Sequence, residues 1–180
     1  MRHYRSFGFQ HQARKPKQKH KGETYYEYAH SGFGWACTRT FVEAMIGAGG
    51  SNGPMMDWAI LGSADHHMAW AMIGDTKATI HKMMHKSFFR KCYEWEARAT
   101  RVTKKEVGFV SGFIQHKFHG PKNRRYYRER WATLAENKYD PDTMLTHDSQ
   151  GIAILTGNHK LEHDIYLYNL SRIEDSIESF

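Results

Sequence analysis

Between Lys86 and Lys104 the apolar residues Phe88, Cys92, Trp95, Ala99 and Val102 recur at alternating spacings of four and three. That is the stripe of an amphipathic helix, with Glu94 and Arg98 paired i,i+4 on its open side. A second stripe, Leu161, Ile165, Tyr168, Ile173 and Ile177, predicts a terminal helix over 161–177. Tyr127, Trp131 and Leu134 define the inner face of a third, running from Pro121 to about Asn137. Thr38 is placed to cap a short helix from Arg39 to Ile46. From Met68 to Ile73 the chain is apolar on nearly every side, which predicts a buried helix entered at Ser63 as N-cap and closed by Gly74.

Strand signals are shorter. Val107–Ile114 (VGFVSGFI) is an uncharged apolar run that reads as a buried strand, and Trp58–Leu61 as a shorter one. Tyr25–Ala36 alternates aromatic and small residues and reads as strand and turn. Gly151–Leu155 reads as a strand or a helix end, and Tyr139–Asp142 as a Pro-centred turn. Residues 1–22 have little periodicity and read as a basic loop or disordered arm, with Phe7 and Phe9 as anchors. The expected class is α+β: short central strands flanked by several helices, a helix-rich C-terminal half, and a folded domain over 23–180.

Composition narrows this picture. The apolar fraction of 40% suits one folded domain, and no apolar run is long enough to span a membrane. The basic N-terminus has no apolar core and is not a secretory signal. Two cysteines, Cys37 and Cys92, without metal-type spacing point to a reducing, cytoplasmic setting. The net charge of +7 is local: residues 1–21 hold seven Lys/Arg and no acid, and the remainder is balanced at 19 against 19.

Chemistry concentrates in two places. The predicted strand at 107–114 delivers His116 and His119 to its end, and Pro121 then opens the basic helix with Lys122, Arg124 and Arg125. Cations oppose the macrodipole at a helix start, so three of them there point to an anion, such as a phosphate or a metal–diphosphate. A solvated basic helix face is the plainer reading. At the second place, Asp65, His66 and His67 occupy the first turn of the buried helix. Asp65 is either an acid stabilised by the helix dipole or a general base; both readings stay open. Tyr26, Tyr28, Phe33 and Trp35 form either an exposed stacking surface or core.

Taken together, YYEYAHSGFGWACTR, ILGSADHHMAWAMIG, GFVSGFIQHKFHGPKNRRYYRERW, YDPDTMLTHDSQG and YNLSRIEDSI resemble, in order, the C-terminal part of a phage and bacterial glycosyltransferase-like family. The resemblance implies a partial α/β fold of the GT-A nucleotide-sugar type and transfer of a sugar to an acceptor hydroxyl. It implies a divalent metal (Mn²⁺ or Mg²⁺) on the donor diphosphate, with His119, or alternatively His116, as ligand and Lys122, Arg124 and Arg125 beside the diphosphate. Asp65 matches the base that activates the acceptor, and Tyr28, Trp35 and Arg39 the acceptor surface. The family's nucleotide-binding βαβ region and its Asp-x-Asp have no counterpart here. The sequence therefore reads as the acceptor-side half, with a separate chain expected to bind the nucleotide-sugar donor.

Two other classes compete. The basic arm and the tyrosines among residues 122–130 suit a nucleic-acid-binding protein. An acceptor surface without a donor site suits a non-catalytic carbohydrate or interaction module.

Overall fold

The computed structural model describes residues 6–13, 30–46, 53–115, 125–127 and 129–172. It is a mixed α+β chain, mostly helical, with six helices and one two-stranded sheet among the described residues. The helices are α1 (Phe7–Ala13), α2 (Arg39–Ile46), α3 (Ala64–Met72), α4 (Lys86–Thr103), α5 (Glu129–Glu136) and α6 (His159–Ser171). The strands β1 (Leu145–His147) and β2 (Ala153–Leu155) form an antiparallel hairpin pairing Thr146 with Ile154. The chain divides into two compact units. The first comprises Met1–Asp57, Gly62–Thr79 and Cys92–Ile114, and the second Trp58–Leu61, Ile80–Lys91 and Gln115–Phe180.

In the first unit α3 is the centre. His67 through Met72 are all buried, and Phe7 of α1 packs edge-on against Trp70 with Ala69 and Ile73 alongside. The helix starts where Gly62 (φ 96°) and Ser63 (φ 70°) turn left-handed, and ends before Gly74 (φ 80°). Ser63 stands at the N-cap, but its side chain makes no capping bond; its carbonyl accepts from the His66 and His67 amides instead. Past α3, a 3-10 turn at Thr76–Thr79 is tied to α4 by the Thr76 amide, which donates to Glu96 Oε2 at 2.7 Å. Thr103 at the end of α4 donates to the Met72 carbonyl at 3.2 Å. The α4 stripe holds over four of its five positions: Phe88, Cys92, Trp95 and Ala99 are fully buried, while Val102 is exposed. Burial holds the Arg98 guanidinium below its ordinary pKa, with Glu94 opposing and Arg101 reinforcing the shift. In α2 the predicted bounds hold, and the Phe41 amide donates to Thr38 Oγ1 at 3.1 Å.

The second unit gathers Trp58, Leu61, Ile80, Met84, Phe88, Leu134, Tyr139, Leu161 and Tyr168 as buried side chains. Helices α5 and α6 pack together, joined by Asn137, whose side-chain amide donates to Asp164 Oδ2 at 2.7 Å. Asn158 caps α6 by accepting from the Leu161 amide at 2.9 Å. The Tyr139–Asp142 turn is a structural node: Asp142 takes Arg90 and Lys91, and Asp140 faces His85.

Several expectations are corrected. Val107–Gln115 is neither helix nor strand, and none of its backbone groups hydrogen-bonds to a described residue. Val110, Phe113 and Ile114 lie open to solvent, Phe113 at 99%. A strand needs a neighbouring ladder, and no described segment supplies one here. In Trp58–Leu61, Trp58, Ala59 and Leu61 are buried as expected, but the segment follows turns, not a strand. No central strands exist among the described residues; the hairpin at 145–155 holds the sheet. Within the expected N-terminal arm, Phe7–Ala13 is helical, with Phe7 buried and Phe9 edge-on to Phe109. The basic helix expected from Pro121 to Asn137 is not continuous, because Tyr126 is left-handed (φ 48°); α5 begins at Glu129, and residues 121–124 lie outside the described residues. The last helix stops at Ser171, where Arg172 turns extended. Ile173 and Ile177 lie outside the described residues, as do Tyr25–Ala29.

Candidate functional site

Of the described site residues, Asp65 and Trp35 are linked at the head of α3. Its first turn carries Asp65 and His66 half-buried. The loop after His30 lies against that turn, so that Ser31 Oγ donates to Asp65 Oδ2 at 3.0 Å and sits 3.4 Å from His66 Nδ1. The loop holds its own shape locally. The Gly32 amide donates to His30 Nδ1 at 3.1 Å, and the His30 ring stacks on Phe33 with centroids 4.4 Å apart. One turn further, the Trp35 indole N–H donates to the Ser31 carbonyl at 2.8 Å. That bond fixes the Trp35 ring while leaving it 42% exposed. Ser31 therefore touches the carboxylate through its hydroxyl and the indole through its carbonyl.

The backbone at Gly32 passes close to the acid: a β-carbon there would stand 3.1 Å from Asp65 Oδ2 and 3.0 Å from His30 Cε1, so both side chains would have to give way slightly. The loop is anchored upstream, where the Phe7 amide donates to the His30 carbonyl at 3.1 Å and Ser6 bridges His30 in parallel register.

His67, next to His66, is of another kind. It is fully buried, its Nδ1 is 2.6 Å from Thr79 Oγ1, and Thr79 in turn donates to the Thr76 carbonyl at 2.6 Å. This chain fastens the 3-10 turn beneath α3 and is structural.

Arg39 is exposed at the start of α2. Tyr28, His116, His119, Lys122 and Arg124 lie outside the described residues. Arg125 belongs to the second unit, in a turn ahead of α5, where its NH1 donates to Tyr127 Oη at 3.2 Å. The α5 helix itself opens with an acid, Glu129. Among the described residues no group of three or more His, Cys, Asp or Glu is arranged to hold a metal ion. No described helix is long and apolar enough to cross a membrane.

Sequence reasoning singled out Asp65 and Trp35 but not Ser31, which links them, or His30 beside it. A lone serine carries no signal of its own. The available clue was Gly32 and Gly34 flanking aromatic residues, which marks a place where the backbone passes close to something.

Comparison of the chain with protein-family models, with curated proteins and with solved structures gives no match.

Proposed function

We propose that this chain is the acceptor-binding side of a nucleotide-sugar glycosyltransferase with a GT-A-like fold. The observation that carries the reading is the junction of Asp65, half-buried at a helix head, with an exposed aromatic ring, Trp35, through the single residue Ser31. An indole face that is immobilised yet open is suited to stacking against a sugar ring, and a carboxylate beside it is suited to take a hydroxyl proton.

In this reading Asp65 takes the proton of the acceptor hydroxyl as that oxygen attacks the anomeric carbon of the donor sugar. The new carbon–oxygen bond forms as the bond to the diphosphate breaks, and its electron pair leaves with the diphosphate. Asp65 ends protonated and returns its proton to solvent. His119, or alternatively His116, would hold a divalent Mn²⁺ or Mg²⁺, which would supply Lewis-acid stabilisation of the leaving diphosphate, and Lys122, Arg124 and Arg125 would offset its charge. The donor itself is bound with a partner chain. Tyr28 and Arg39 extend the acceptor surface.

The reading is tested by calorimetric titration of UDP and UDP-sugars into the purified chain, with and without Mn²⁺. Metal-dependent binding supports a surviving diphosphate site. Absence of binding to nucleotides, together with absence of binding to oligosaccharide acceptors, removes the proposal.

A further inference from the structure

The hydroxyl of Ser31 has one proton and two polar neighbours at hydrogen-bond distance, Asp65 Oδ2 at 3.0 Å and His66 Nδ1 at 3.4 Å. A carboxylate can only accept, so the serine proton points at Asp65. The serine oxygen then has only lone pairs to offer His66, and the imidazole must present Nδ1–H to it. From these directions we propose that Ser31 is the positioning residue of Asp65, at the centre of a one-way hydrogen-bond relay from His66 through Ser31 to Asp65.

The relay has three consequences. It fixes His66 as the Nδ1–H tautomer, against the freedom of an exposed imidazole to carry its proton on either nitrogen. It fixes the rotation of the Asp65 carboxyl group by engaging Oδ2. It also leaves Oδ1, which hydrogen-bonds to no described residue, as the oxygen presented to an incoming hydroxyl. Gly32 adjoins the device, since a β-carbon there would crowd Asp65 Oδ2 at 3.1 Å. The positioning role rests on the transferase reading above; the direction of the relay does not.

The experiment is nitrogen-15 NMR of the full chain at about pH 8, above the ordinary imidazole titration. Two-bond imidazole correlations report which ring nitrogen bears the proton, and His66→Gln identifies the His66 signal. The expected result is a proton on Nδ1 in the native chain, loss of that preference in Ser31→Ala, and its return in Ser31→Thr, which keeps the hydroxyl. A native His66 protonated on Nε2 overturns the relay without any variant having to fold. An unchanged His66 signature in a folded Ser31→Ala chain overturns it equally. Failure of the chain to bind nucleotide or acceptor leaves this spectrum as it is, so the two proposals fail separately.

Discussion

Tyr139 donates its phenolic hydroxyl to the carbonyl oxygen of Trp58 at 3.1 Å, joining two fully buried residues 81 positions apart. The bond closes the second unit at the point where the short segment Trp58–Leu61 enters it. Tyr139→Phe keeps the ring and removes only the donor, leaving a buried carbonyl with one partner fewer. The expected loss is about 1–3 kcal/mol in urea unfolding, with an unchanged denaturant slope. A loss under a few tenths would show that water satisfies the carbonyl.

Gly8 is expected to be the least replaceable residue of α1. A β-carbon there would overlap the carbonyl oxygen of Gly108, which is backbone and has no rotamer to change. Gly8→Ala should detach α1 and expose Phe7, whose burial against Trp70 is worth about 1.5–3 kcal/mol. Near-ultraviolet circular dichroism of the tryptophans reads the change directly. Gln12→Ala, on the exposed side of the same helix, is the control.

The acid end of the stability curve should depend on Ser87. The Ser87 hydrogen bond, chiefly, holds the Asp140 carboxyl below its usual range, with the Asp142 amide, His85 and Thr143 adding to it. A group depressed in the folded state contributes stability above its unfolded pKa of about 3.9, and that contribution is lost as pH falls through the folded value. Ser87→Ala should raise the folded value, so the loss begins at higher pH. Thermal denaturation between about pH 2 and 6 measures it. Asp164, lowered first by its bond from Lys160, should leave a remaining acid dependence in the variant.

Asp65→Asn is expected to abolish sugar transfer, where transfer is reconstituted, while changing the melting temperature little. The amide keeps the volume and can still accept from Ser31. A large drop in melting temperature would instead make Asp65 a structural acid stabilising the α3 dipole. By contrast Thr79→Val should cost about 1–3 kcal/mol, because His67 loses its hydroxyl partner at full burial.

How much of this was legible in the sequence differs element by element. The α2 bounds were readable to the residue because a threonine cap leaves a local signature that needs no tertiary partner. The α4 stripe was readable because four of its five positions are buried by one side of the helix. Val107–Ile114 was misread because an apolar run announces a preference for cover but not whether cover is present. Residues 125–127 were misread because nothing in an Arg-Tyr-Tyr string reports a left-handed residue. β1 escaped notice because three residues are too few to show alternation. Its hairpin turn was nonetheless written in Asp148, whose carboxylate accepts from both the Gln150 and Ile152 amides. At the site, Asp65 was visible from its place ahead of a buried helix. The link to Trp35 was not, since it depends on the fold bringing residue 31 to residue 65.

The end of α4 has a practical consequence. Lys104 and Lys105 are both exposed and both left-handed (φ 54° and 66°), and past Glu106 the chain from Val107 to Gln115 has no backbone hydrogen bonds among the described residues. Proteases bind substrate as an extended strand, which a helix refuses and an unbonded chain accepts at once. Among the described residues, brief digestion with trypsin should therefore nick the molecule first at this lysine pair. The cut would part α4 from everything that follows, giving two pieces whose separate behaviour can be assayed without designing a truncation.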